Sequence, residues 1–302
     1  MHKFLRSIGF SNVRKRDLEI VLKDIIDRPE FIKITKDSEC NEFAELSRSF
    51  SPNVGITVRG IYLEDDSFEM EYYFPYMLGT SITTQEQIEV EKHAEKESYA
   101  GVCDELNLGV TLIFYLQNVA DYLSEKSRYK EKPLYGAMLA GLSTDGKILM
   151  PIQEGTHKEK AHAKKHDERN QLIAQAREGD EEAIESLTLD DMDTYAIISK
   201  RVMTEDILSI VRSTFMPYGI ESDQYSILGE IVDFTKMENN LSHEKIYGLK
   251  VLCNDIIFDI CIHEDDLLGE PEIGRRFKGD VWMQGSLCMD SLPTYVLIVK
   301  WI

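Results

Sequence analysis

Glu270-Pro271-Glu272-Ile273-Gly274-Arg275-Arg276-Phe277-Lys278-Gly279-Asp280-Val281-Trp282 is the stretch on which the fold turns. A Pro/Gly-marked turn opens it, and an alternation follows in which Phe277 and Val281 take one side and Arg276, Lys278, Asp280 and Trp282 the other, the pattern of a strand. It is also where cations, an indole and glycines crowd together in an otherwise acidic chain. Four more strand-like runs surround it: Tyr225–Phe234, Ile246–Cys253, Ile256–Ile262 and Tyr295–Trp301. Asn254-Asp255 supplies a tight turn between the second and third, and 263–268 a short helix before Arg276–Leu287. Five strands with a helix between the third and fourth match the OB-fold plan, with an SH3-like barrel as the other arrangement of such strands. Residues 204–302 are therefore expected to form a small OB-like β-barrel.

Upstream, Leu18, Val21, Leu22, Ile25 and Ile26 recur at helical spacing, with Asp17 to cap them and Pro29 after the end. Phe31–Thr35 reads as a short strand and Asn41–Arg48 as a short helix. Val54–Ile61 and Phe68–Tyr72 flank the turn Glu64-Asp65-Asp66-Ser67 and read as a hairpin with one wet face. Gln87–Glu91 alternates likewise, Val110–Leu116 is a continuous apolar strand, and Val119–Leu123 starts a helix. Asp145-Gly146, between Ala137–Leu142 and Lys147–Ile152, carries the signature of a two-residue hairpin turn. Residues 1–155 are expected to be an α+β domain, a mainly antiparallel sheet with helices on one face. Composition changes at Gly155. From there to about residue 203 the chain reads as a helical connector, with Gly179 ending one helix and Asp180 capping the next. No internal repeat is visible.

The chain of 302 residues is long enough for two domains, and its 43% hydrophobic and 29% charged content is globular. Its net charge of -20 favours solubility and opposes phosphate backbones at long range. Five cysteines without a C-x-x-C pair argue against a disulfide framework and a cysteine zinc site. The N-terminus has no apolar signal-peptide core, and no apolar run approaches the ~20 residues of a membrane-spanning helix. A reduced, cytoplasmic protein is expected, with no membrane partner.

Three segments, Met1–Phe10, Phe215-Met216-Pro217-Tyr218-Gly219, and Gly274–Gly279 with Trp282, carry a resemblance. The chain is similar to an uncharacterised family of domain-of-unknown-function proteins from Gram-positive anaerobes. The resemblance spans the full length and implies no chemistry.

Four constellations could carry function. His162 and His166, with His157 nearby, sit at i, i+4 if residues 159–178 are helical, a spacing that can chelate zinc or nickel. Lys160, Lys164 and Lys165 repel a cation there, and a solvated, charge-laced helix explains the histidines. The carboxylates Asp190, Asp191, Asp193 and Glu264, Asp265, Asp266 could hold magnesium, yet both groups sit where helix N-termini favour negative charge. Tyr72, Tyr73, Phe74 and Tyr76 could line a groove, though strands favour aromatics on packing grounds. Arg275, Arg276, Lys278 and Trp282 form the strongest candidate, since a cation pair beside an indole suits single-stranded nucleic acid or another anionic ligand. Asp280, Glu270 and Glu272 count against it as ion-pair partners.

No P-loop, no G-x-G-x-x-G after a strand and no G-x-S-x-G elbow occurs, so no catalytic residue and no cofactor is expected. The expectation is a non-enzymatic cytoplasmic binding or regulatory protein that engages a protein partner. The alternatives are a binder of single-stranded nucleic acid or an anionic ligand, and a metal-dependent enzyme.

Overall fold

A computed structural model describes residues 1–93, 98–105, 107–128, 134–152, 171–173, 175–176, 179–203 and 206–288. Among the described residues strands outweigh helices, 52% to 21%, so β structure dominates. Strands β1 (Phe31–Lys36), β2 (Glu42–Ser51), β3 (Val54–Tyr62) and β4 (Phe68–Met77) form an antiparallel four-stranded sheet in that order. Helix α1 (Lys15–Asp27) packs on β2 and β3 through Leu18, Leu22 and Ile25.

The other strands make a second, ten-stranded sheet. It contains β5 (Thr84–His93), β6 (Ser98–Glu105), β7 (Val110–Leu116) and the long β8 (Leu134–Leu149), with α2 (Val119–Arg128) before β8. It also contains β9 (Thr214–Pro217), β10 (Gln224–Glu238), β11 (Lys245–Cys253), β12 (Ile256–His263), the two-residue β13 (Leu267–Leu268) and β14 (Arg276–Leu287). Helix α3 (Glu181–Val202) lies between β8 and β9. Its start follows the expected punctuation: Gly179 has φ 91°, and Asp180 Oδ1 accepts from the amides of Glu182 and Ala183. It continues without a break through Thr188 to Val202.

The OB-like barrel does not form. The C-terminal strands have no closed unit of their own, because β8 from the N-terminal half lies between β12, which it meets in parallel, and β14, which it meets antiparallel. The expected fifth barrel strand, Tyr295–Trp301, lies outside the described residues. The pairings instead show a repeat at the level of topology. A meander β5-β6-β7, a helix and the long β8 are matched by a meander β10-β11-β12, a 3-10 turn at Glu264–Asp266 and the long β14. Each long strand pairs with the first strand of its own meander, with the other long strand, and in parallel with the third strand of the other meander. The sequence conceals this because the two halves fill equivalent places with different residues.

Two local expectations also fail for physical reasons. Asn41–Arg48 is strand rather than helix: Phe43 belongs to the core of the large sheet, while Ala44 and Leu46 belong to the core beneath α1. A strand buried on both faces loses the alternation that would reveal it. Asp145-Gly146 does not turn the chain, and β8 runs through it beside β14. Gly146 is needed for space, since a Cβ there would lie 2.6 Å from Phe277 Cε2 and 2.8 Å from Ile262 Cδ1. Ahead of β9, Ile207–Ile210 is a helical turn capped by Asp206.

Side chains rather than strand pairing join the two sheets. The fully buried Gln284 on β14 accepts from Met77 N and donates to Pro75 O at 2.8 Å, so its amide takes the place of a neighbouring strand along the edge of β4. Gln117 donates to Met77 O and to Gln284 Oε1. Nearby, Arg59 of β3 is 0% exposed and reaches across the seam. It donates to Glu45 Oε1, to the hydroxyls of Tyr72 and Tyr115, and to the carbonyls of Leu116 and Gln117, with its guanidinium 4.6 Å from the Phe74 ring centre. Every polar edge of that cation is matched, which is what allows a charge so deep in the protein.

Candidate functional site

Strand β14 carries the basic and aromatic residues singled out from sequence, and they occupy different environments. Arg275 pairs with Glu272 at 2.7 Å and donates to Glu270 O. Arg276 is buried and donates to the carbonyls of Met150 and Val211, with no ion pair among the described residues. Burial pulls its pKa below the usual arginine value. Lys278 is half-buried and lies directly opposite Lys147 of β8, in the row beside Asp280 and Asp145.

Trp282 is buried. Its indole stacks on Phe4 at 5.2 Å, lies 4.8 Å from the His2 ring and 5.2 Å from Tyr115, and donates to Asp223 Oδ2 at 2.7 Å. Burial, reinforced by Lys3 and the terminal amino group, pushes the His2 pKa down to about 4. His2 is therefore neutral at physiological pH, and its Nδ1 accepts from Phe4 N.

The segments that carry the family resemblance come together here. Phe4 stacks on Trp282, Gln224 pairs with Trp282, and Pro217 pairs with Tyr225. Between Pro217 and Gln224 runs the turn from β9 to β10. Its two ends are fastened: Tyr218 N donates to Gln224 O, Met283 N donates to Asp223 O, and Lys3 Nζ donates to Gln224 Oε1. Its middle is not covered. Ile220 is 100% exposed, Met216 61% and Tyr218 48%, with Glu221 exposed beside them. Gly219 adopts φ 75°, the left-handed conformation that lets the chain reverse at that point. A large apolar tip on a fixed base is what protein interfaces use as an anchor. It was detectable in the sequence as Met216-Pro217-Tyr218-Gly219-Ile220, an apolar run where a turn calls for polar residues.

The remaining constellations resolve into ordinary contacts or fall outside view. Glu264 pairs with Lys236, Asp266 pairs with Arg6, and His263 Nδ1 accepts from Asp265 N. Tyr72 and Phe74 surround Arg59, Tyr73 accepts from His2 N, and Tyr76 meets Ser49. Asp190, Asp191 and Asp193 fall in α3, but their side chains are not among those described, and His157, His162 and His166 lie outside the described residues. Among the described residues no cluster of three His, Cys, Asp or Glu could hold a metal ion. An open depression of about 630 Å³ lies beside the β2–β3 turn, lined by Arg28, Arg48, Ser51 and Glu238 among others. Asp24 holds both of its arginines, which in turn lower the Asp24 pKa.

A family described as a domain of unknown function from an E. rectale gene, DUF3881, matches residues 5–285. The chain belongs to that family. The match runs from the first 3-10 turn nearly to the end of β14, so the DUF3881 unit includes both sheets and the Trp282 cluster. It bears out the resemblance to an uncharacterised domain-of-unknown-function family. No curated protein and no solved structure matches the chain. No helix among the described residues is long and apolar enough to cross a membrane.

Proposed function

We propose that this DUF3881 protein is a non-enzymatic binding protein that engages another protein through the β9–β10 turn. The carrying observation is the tip itself, with Ile220 fully exposed, Met216 and Tyr218 beside it, and both ends of the turn tied to β14 and the N-terminus. A pre-ordered loop loses little entropy on docking, which favours affinity. The partner that fits offers an apolar cleft with a basic rim, because Glu221 and Asp223 flank the tip and the chain carries a net charge of -20.

Burying one isoleucine contributes about 1.5–3 kcal/mol, or roughly a ten- to hundredfold change in affinity. A photo-crosslinker at position 220 should capture one stoichiometric protein in an extract of the native cell. Once that protein is purified, Ile220→Asp should weaken its binding by about this factor with an unchanged thermal melt. Adducts with no preferred protein, equal binding by Ile220→Asp, or Ile220-dependent flotation on phosphatidylcholine/phosphatidylglycerol vesicles would each overturn the proposal.

The opposition of Lys147 and Lys278 supports a second reading, an anionic ligand held on the outer face of β8 and β14. Asp145 and Asp280 in the next row offset it, and Trp282 is stacked under Phe4. Binding of a single-stranded oligonucleotide at low salt that Lys278→Ala abolishes would favour this reading over the first.

A further inference from the structure

Strand β1 is the outermost strand of the small sheet, and β2 is its only partner in the described ladder. Exposed edges of this kind are usually guarded by charge, since their free amides and carbonyls invite another strand. Here the guard is turned away. Lys33 points to the α2 side, where it pairs with Asp121. The opposite face presents Ile32 and Ile34, 53% and 55% exposed, followed by exposed Lys36. Lys36 makes no ion pair among the described residues, and Glu30, just before the strand, is exposed, with Oε2 accepting from Ser49 N and Oε1 left to a further partner.

We propose that β1 is a self-association edge, which pairs antiparallel with β1 of a second copy and joins the two four-stranded sheets across a two-fold axis. The pattern is self-complementary in one register. If Ile32 opposes Ile34 of the second copy, then Ile34 opposes Ile32, and Glu30 opposes Lys36 at both ends. A two-fold interface requires this reciprocity. The register shifted by two residues toward the C-terminus sets Ile32 against Lys36, and the shift the other way sets Ile34 against Glu30, so neither keeps both matches. At the axis Lys33 meets its own copy on the other face, where each lysine has its Asp121. Two apolar cross-strand pairs, two opposite-charge pairs and a continuous ladder favour a second copy over an unrelated strand.

The measurement is sedimentation of the full chain from micromolar to hundreds of micromolar, together with hydrogen exchange at Ile32 and Ile34. A monomer–dimer equilibrium is expected, with these amides protected in the dimer. Ile34→Lys should abolish the dimer at an unchanged melting temperature. Lys36→Glu should shift the equilibrium at least tenfold toward monomer, and adding Glu30→Lys should restore it. Ile220→Asp should leave it unchanged, which separates this interface from the one assigned to the β9–β10 turn. A wild-type protein that stays monomeric, a dimer that survives Ile34→Lys, or a double charge swap that behaves like Lys36→Glu alone would each overturn the proposal.

Discussion

Removing Glu45 should destabilise the protein far more than removing the whole Arg59–Glu45 pair. Arg59 is fully buried and Glu45 is 6% exposed, with Glu45 Oε1 2.7 Å from Arg59 Nη2 and Oε2 accepting from Ala120 N. Burial pushes the Glu45 carboxyl up, against the pull of Arg59 and the Ala120 amide. In Glu45→Ala the guanidinium keeps its hydroxyl and carbonyl acceptors but loses its counter-charge, and stranding a buried charge costs about 3–5 kcal/mol. In Arg59→Met with Glu45→Leu both charges go. The cost is then the lost bonds to Tyr72, Tyr115, the 116–117 carbonyls and Ala120 N, the last of which Glu45→Ala loses as well, and replacing a buried pair with apolar residues is often near neutral. We therefore expect the double variant to be more stable than Glu45→Ala by roughly 2 kcal/mol. Urea unfolding followed by tryptophan fluorescence and far-ultraviolet circular dichroism measures this, and coincident transitions are needed for the free energies to be valid. A Glu45→Ala loss below about 1 kcal/mol, or a double variant less stable than Glu45→Ala, would refute the account of Arg59 as a charge held by its counter-ion.

His2 should make stability fall on acidification. Its folded pKa of about 4 lies below the ordinary histidine value of 6.5, so the unfolded chain binds the extra proton and stability is lost as pH drops from about 6.5 to 4. His2→Asn keeps a cap for Phe4 N but cannot titrate, and should flatten the wild-type slope over that window by up to roughly 3 kcal/mol in urea midpoints; parallel slopes would contradict the buried, neutral imidazole. Gln284→Leu strands Pro75 O, Met77 N and an amide proton of Gln117, and should cost about 2–4 kcal/mol, with faster hydrogen exchange at Met77 as the local sign. Gly146→Ala should cost about 1–3 kcal/mol through contact with Phe277 and Ile262. A Gly146→Ala variant as stable as the wild type would contradict the close approach of Phe277 and Ile262.

Some elements were legible from sequence by local signals. Helix α1 kept the periodicity that burial of one side imposes, the β3–β4 hairpin was marked by its polar turn at 64–67, and β7 by its continuous apolar run. Elements buried on both sides were not: β2 has a core on each face, and β8 has a strand on each side along most of its length. Which strands neighbour which is set by long-range pairing, and nothing local to 256–263 announces that β12 will lie parallel to β8. Arg59 was passed over because a lone arginine in a strand reads as surface. Its burial depends on Glu45, Tyr72 and Tyr115, up to 56 residues distant. At the candidate site, Trp282 and its basic neighbours were visible as a composition anomaly, while the exposure of Ile220 depended on how the ends of its turn are tied down.

The exchange of long strands has a mechanical result. β8 leaves one half to lie along β12, and β14 leaves the other to lie along β7, so the halves are interlocked like clasped hands rather than set side by side. Severing the chain between 152 and 206 would leave two pieces that each lack a strand the other supplies. Each piece alone would expose an unpaired edge, while the two together would restore the complete ladder. A nick there should go unnoticed by sedimentation and be revealed only in denaturant, where the pieces part and reassembly becomes dependent on concentration.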